Sequence, residues 1–250
     1  MGSLLGTTAL GYYDRGSRTA QWPSLLLLAA SGRTAVQAFA RLRGEPEALG
    51  RAFSLSTWLV AATAFPLAAA LFVAAPDLVT LLFGARWLPS VPILRLLVVA
   101  SALRPLWENG VVLLNGIGKP RVAAGLLGLQ LVGLVLLGIP LTLWLGAAGA
   151  AAAVSASLAL GLAAIRARIR RELPSISARV LLAPAIAALG ALGGGLGLVG
   201  SGLLDGMGPL PRLVLEAGAV AAVDVALLVA LEPKATRERL ATVWRLSRPA

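Results

Sequence analysis

Cysteine and histidine are both absent from the 250 residues. Without cysteine there is no disulfide, no thiolate nucleophile and no zinc–thiolate site. Without histidine the other common zinc ligand and the usual general base near neutral pH are gone too. Charge is scarce: Asp, Glu, Lys and Arg make up 13% of the chain, where soluble domains carry about a quarter. A phosphate-cradling loop is also missing, because Gly193, Gly194 and Gly195 lie in an apolar run with no lysine after them. The sequence therefore reads as no enzyme, with no metal and no cofactor.

What the chain does have is hydrophobic length. Apolar residues make up 58% of it, and the mean hydropathy is +0.86. They fall into seven continuous runs, each close to the roughly 20 residues that a helix needs to span a bilayer. The runs are Gln21 to Ala40, Phe53 to Ala74, Val91 to Leu114, Val122 to Leu145, Ala147 to Ile165, Val180 to Gly200 and Leu213 to Leu231. They lack the alternation of a membrane β-barrel. The expected fold is an all-α, polytopic integral membrane helix bundle of about seven transmembrane helices.

Net charge is +11, carried by the gaps between runs rather than by a soluble surface. Every second gap is basic. Arg41, Arg43 and Arg51 follow the first run, Lys119 and Arg121 the third, and Arg166, Arg168, Arg170, Arg171 and Arg179 the fifth. Lys234, Arg237, Arg239, Arg245 and Arg248 follow the seventh. The other gaps are nearly neutral, and the one between the fourth and fifth runs is uncharged. The positive-inside rule makes the basic gaps cytoplasmic, so the N-terminus is expected outside and the C-terminus inside. Anionic headgroups are the partner this pattern implies, and nucleic acid is not, since no aromatic residues interleave with the charges.

Small residues mark helix contacts. Gly125, Gly128, Gly133 and Gly138 in the fourth run, and the glycine-rich sixth run, predict close helix packing. Pro140 and Pro184 predict kinks.

Charged side chains within an apolar run usually face a bundle interior or a watery cavity. The third run holds Arg95, Arg104, Glu108 and Asn109. Arg104 and Glu108 share a helix face and can pair. Two readings stand side by side. These residues form a cavity wall that binds an anionic substrate through Arg95 or Arg104, or the pair locks helices together and Arg95 snorkels to headgroups. Arg33, in the first run, is assigned to the same cavity. Glu216 and Asp224 lie on nearly one face of the last run, as a proton or cation site or as packing partners of an arginine.

Four stretches in order resemble one family. They are LGYYDRGSRTAQWPSLLL from Leu10, DLVTLLFGARWLPSVPILRLL from Asp77 with Phe83, Gly84 and Trp87, LLNGIGKPRVAAGLL with Gly118 to Pro120, and the Gly146–Gly149 turn. Together they are similar to polysaccharide and oligosaccharide flippases of the Wzx type. That superfamily also holds the lipid II flippases and MATE exporters. The resemblance implies the second lobe of a two-lobed transporter, a MATE-like lobe lacking its first helix. On that plan residues 1–20 are an outer-side stub of the lost helix and its loop, and residues 21–167 a five-helix core. Residues 168–232 are a basic linker with two additional helices, and residues 233–250 a basic cytoplasmic tail.

The resemblance further implies export of a lipid-linked oligosaccharide or polysaccharide precursor by alternating access across a bacterial cytoplasmic membrane. The partners are then the lipid bilayer, a lipid-linked anionic glycan and a separate N-terminal lobe. Two other readings remain open. One is an ion-coupled small-molecule exporter of the MATE kind; the other is a membrane scaffold or gene fragment that transports nothing.

Overall fold

The computed structural model describes residues 2–21, 36–173, 176, 178–233 and 236–239, and among them it contains no strand. The helices are α1 (Gly2–Ala20), α2 (Pro46–Val73), α3 (Ala75–Phe83), α4 (Val91–Gly116), α5 (Pro120–Glu172), α6 (Leu182–Gly200) and α7 (Pro209–Leu231). Short 3₁₀ turns, Ala85–Ser90 and Ala178–Leu181, lead into α4 and α6. Residues 36–41 are helical as well.

The longest element divides in two. A straight helix of 53 residues would run about 80 Å, far more than a bilayer's hydrocarbon core. Gly146, at φ 61° and ψ −136°, breaks it in a backbone region that side chains rarely enter. The chain then doubles back. A Cβ on Gly149 would overlap the Leu141 carbonyl, and one on Gly161 would lie 3.4 Å from Gln130. At the open end Lys119 reaches Glu172 at 2.5 Å. α5 is thus a hairpin with arms 120–145 and 147–172, matching the fourth and fifth apolar runs.

Directions follow from which residues meet. Arg95 touches Phe72 and Asn109 touches Thr57, so α2 is antiparallel to α4. Ser155 meets Leu96 and Ile165 meets Gly110, so the second hairpin arm runs parallel to α4. Gly190 faces Leu227 and Gly194 faces Val223, so α6 and α7 form a second antiparallel pair. That pair packs on α2, because a Cβ on Gly195 would lie 2.6 Å from Val220 and 3.0 Å from Val73. Only glycine lets three backbones meet there.

The basic gaps gather at one end of this up-and-down bundle. Arg43 lies against Gly118, and Lys119 and Arg168 both grip Glu172. The weakly charged gaps gather at the other end, where Arg212 pairs with Asp77 at 3.2 Å and Asp205 at 3.8 Å. The alternation read from the sequence is therefore a physical separation of two ends.

Several expectations change. Five helical segments are long and apolar enough to cross a membrane, and splitting α5 makes six candidate crossings among the described residues. The first apolar run falls largely outside the described residues, so seven crossings are not established. The segment 2–20, expected as the stub of a helix and its loop, is helical throughout. Its second half packs within the bundle: Gly16 lies against Ile93 and Leu94, and Thr19 and Ala20 are buried. Pro184 falls in the first turn of α6, where proline is tolerated without a kink. Among the described residues nothing lies within 4 Å of a Cβ added to Gly125, Gly128, Gly133 or Gly138, so that glycine row packs against none of the described helices.

Candidate functional site

Two helix faces meet beside the hairpin. On α4, Leu97, Ala100, Ser101 and Arg104 recur at helical spacing and form one stripe. Tyr13, Ser17 and Gln21 recur at the same spacing along α1 and its end. The stripes face each other across a cavity of about 230 Å³, closed below by Leu134 and Val154 from the two hairpin arms. Arg104 is exposed and lies near the middle of α4, so its guanidinium opens on the cavity at mid-bundle depth. Pro105 interrupts the α4 hydrogen-bond ladder at the same level. Phenol, hydroxyl, amide and guanidinium groups then line one hollow in an otherwise apolar bundle. Such a hollow can hold a polar headgroup, and Arg104 supplies the donors for a phosphate or carboxylate.

Of the residues singled out from the sequence, Arg104 is the one that borders this cavity. Arg104 makes no direct ion pair with Glu108, whose Oε2 is buried without a hydrogen-bond partner, but the guanidinium charge still acts on that carboxylate one turn away. Arg95 packs elsewhere. Its Nε donates to the Phe72 carbonyl at 3.1 Å, and its guanidinium lies 4.9 Å from the Phe72 ring. That carbonyl belongs to the last turn of α2, where a cation offsets the helix dipole. Asn109 is buried and bonded within the protein. It accepts from Ser56 Oγ at 2.7 Å and donates to Thr57 Oγ1 at 3.1 Å, tying α4 to α2. Arg33 lies outside the described residues.

Glu216 and Asp224 are both buried on α7. Glu216 is paired with Arg212 on its own helix at 3.1 Å, beside the Arg212–Asp77 bridge to α3. Asp224 is buried two turns further on, with Oδ1 unpartnered.

Sequence reasoning missed Tyr13, Ser17 and Gln21. Their helical spacing is visible in the sequence, but they sit in a polar stretch set aside as an outer stub. The same stretch explains two of the sequence motifs. Tyr12 meets Trp87 edge-on at 5.5 Å, and Arg15 lies 5.3 Å from the Phe83 ring and 5.5 Å from Trp87. The Gly-Tyr-Tyr segment and the Phe-Gly-x-x-Trp turn dock on each other and set α1 alongside α4.

The helix bundle defines a multi-pass membrane protein, and its fold is similar to that of a lipid flippase. Residues 1–92 match a family model described as polysaccharide biosynthesis protein. Over 115 residues the chain is 33% identical to the teichuronic acid biosynthesis protein TuaB of Bacillus subtilis (strain 168), covering 46% of this chain and 24% of TuaB. Its fold is similar to that of the lipid II flippase MurJ in an inward closed conformation, with a TM-score of 0.74 at 13% identity. That match covers 91% of this chain and 48% of MurJ, so the chain spans about half the length of its structural relative.

Proposed function

We propose that this chain forms one lobe of a membrane flippase that moves a lipid-linked anionic saccharide across the cytoplasmic membrane by alternating access. The observation that carries the reading is the polar cavity at mid-bundle depth with Arg104 on its wall and no carboxylate among its lining residues. A cation on a cavity wall inside a bilayer is costly unless water or an anionic ligand meets it. A saccharide carried on a lipid phosphate supplies both the charge and the hydroxyls that Tyr13, Ser17 and Ser101 can bond. The similarity to a polysaccharide biosynthesis protein and the flippase fold support the same substrate class. A second lobe, on this or another polypeptide, closes the cavity from the far side. The basic end of the bundle faces the cytoplasm.

The test is binding of a polyprenyl-pyrophosphate saccharide to the purified chain in nanodiscs. Arg104→Ala should weaken it about tenfold, the size of one lost charge-assisted hydrogen bond. A polyprenyl saccharide without phosphate should bind poorly to both proteins. Equal affinity of Arg104→Ala and the unsubstituted chain would remove Arg104 from the site.

A further inference from the structure

A second feature lies on the other side of α4. Leu106 and Gly110 point half a turn away from Arg104 and line a narrow cleft between α2, α4 and the second hairpin arm. Its floor is packed core, with Phe53, Ile165 and Ile169 buried, and its partly exposed apolar members are Leu162, Ile176 and Val180. Arg166 and Arg170 border it at the basic end of the bundle.

These two arginines differ from their neighbours. Lys119 and Arg168 are both neutralised by Glu172, at 2.5 and 3.0 Å. Arg51 has Glu47 at 3.6 Å. Among the described residues no carboxylate lies within ion-pair distance of Arg166 or Arg170. They stand one turn apart on the same helix face, so like charges are juxtaposed, and Arg166 is half-buried. An anion from outside the chain would relieve that repulsion. The cleft holds only about 30 Å³, room for a water or two and not for a sugar ring. The ligand that suits it carries both its charge and its hydrocarbon at the mouth.

We infer that this cleft binds an anionic phospholipid of the leaflet at the basic end. Its phosphate sits between Arg166 and Arg170 and an acyl chain lies across the mouth, against the partly exposed Leu162, Ile176 and Val180. The site is separate from the Arg104 cavity and does not depend on what that cavity carries.

Native mass spectrometry of the full chain, titrated with phosphatidylglycerol or phosphatidylcholine, tests it. The unsubstituted protein should retain phosphatidylglycerol about tenfold better than phosphatidylcholine, and Arg166→Gln/Arg170→Gln should lose the preference. Arg41→Gln/Arg121→Gln removes the same charge from exposed positions at the same end and should keep it. Equal retention of the two lipids, or a preference that survives in Arg166→Gln/Arg170→Gln, overturns the inference. Displacement of phosphatidylglycerol by inorganic phosphate at equal concentration would also overturn it, by showing an anion site that needs no lipid. A second readout uses the unsubstituted protein alone. Phosphatidylglycerol should raise its melting temperature above that in phosphatidylcholine, and an identical melting temperature contradicts the proposal.

Discussion

Arg104 and Asn109 lie little more than a turn apart on α4 and meet opposite surroundings. Asn109 looks into the α2 contact, with Ser56 and Thr57 both bonded to its amide. Arg104 looks into the cavity and has no carboxylate in its wall. Their substitutions should therefore separate stability from binding. Asn109→Leu leaves two hydroxyls without that amide and should lower stability by about 1 kcal/mol, the usual scale of a side-chain hydrogen bond between membrane helices. Thermal unfolding in one fixed detergent measures it, and saccharide affinity of the folded fraction should stay unchanged. Arg95→Ala belongs to the same class. It removes the cation on the Phe72 carbonyl and ring and should reduce the melting temperature, again without affecting binding.

Glycines at the scale of elements fall into two groups that sequence does not separate. Gly195 sits where α2, α6 and α7 cross, and a methyl there would press on Val220 and Val73. Gly195→Ala should cost about 1–3 kcal/mol, the range for overpacking a tight contact. Gly128 has open space beside it, so Gly128→Ala should be neutral or slightly stabilising, since alanine is the better helix former. Melting temperatures of the two variants, measured side by side, check both. Equal losses would mean that the first hairpin arm is packed after all.

The spans themselves were legible because a bilayer imposes their length and apolar character on the sequence. The hairpin turn was legible because Gly146 falls in an uncharged gap between two apolar runs. Lateral direction was not, because a small residue reads the same whether it faces a helix or the outside. α1 was only partly legible for a related reason. Its run of Tyr12, Tyr13, Asp14, Arg15, Ser17 and Arg18 looks like a loop, yet Tyr12 and Arg15 dock on Trp87, Tyr13 and Ser17 line the cavity, and Asp14 and Arg18 pair with each other.

At the scale of the whole molecule, two surfaces of α4 are assigned to different partners: a transported headgroup on one side and a resident lipid on the other. On the proposed function, the separation of charge between the two ends sets the basic end of the bundle in the cytoplasm. With no native cysteine, single cysteines report sidedness cleanly. Gly44→Cys and Arg171→Cys, at the basic end, should react with a membrane-impermeant thiol reagent from the cytoplasmic side only. Gly206→Cys should react from the opposite side only. Labelling of all three from one side would break the alternating topology.

The account stands or falls on whether water and substrate reach the middle of the bundle. Ser17→Cys and Ser101→Cys place thiols on the two facing stripes of the cavity, and Leu136→Cys places one on the exposed apolar face of the hairpin. In nanodiscs, a water-soluble methanethiosulfonate should modify the first two rapidly and the third slowly. A polyprenyl-pyrophosphate saccharide should protect the first two. If Ser17→Cys and Ser101→Cys react no faster than Leu136→Cys, there is no aqueous cavity at that depth, and the flippase reading of this chain fails.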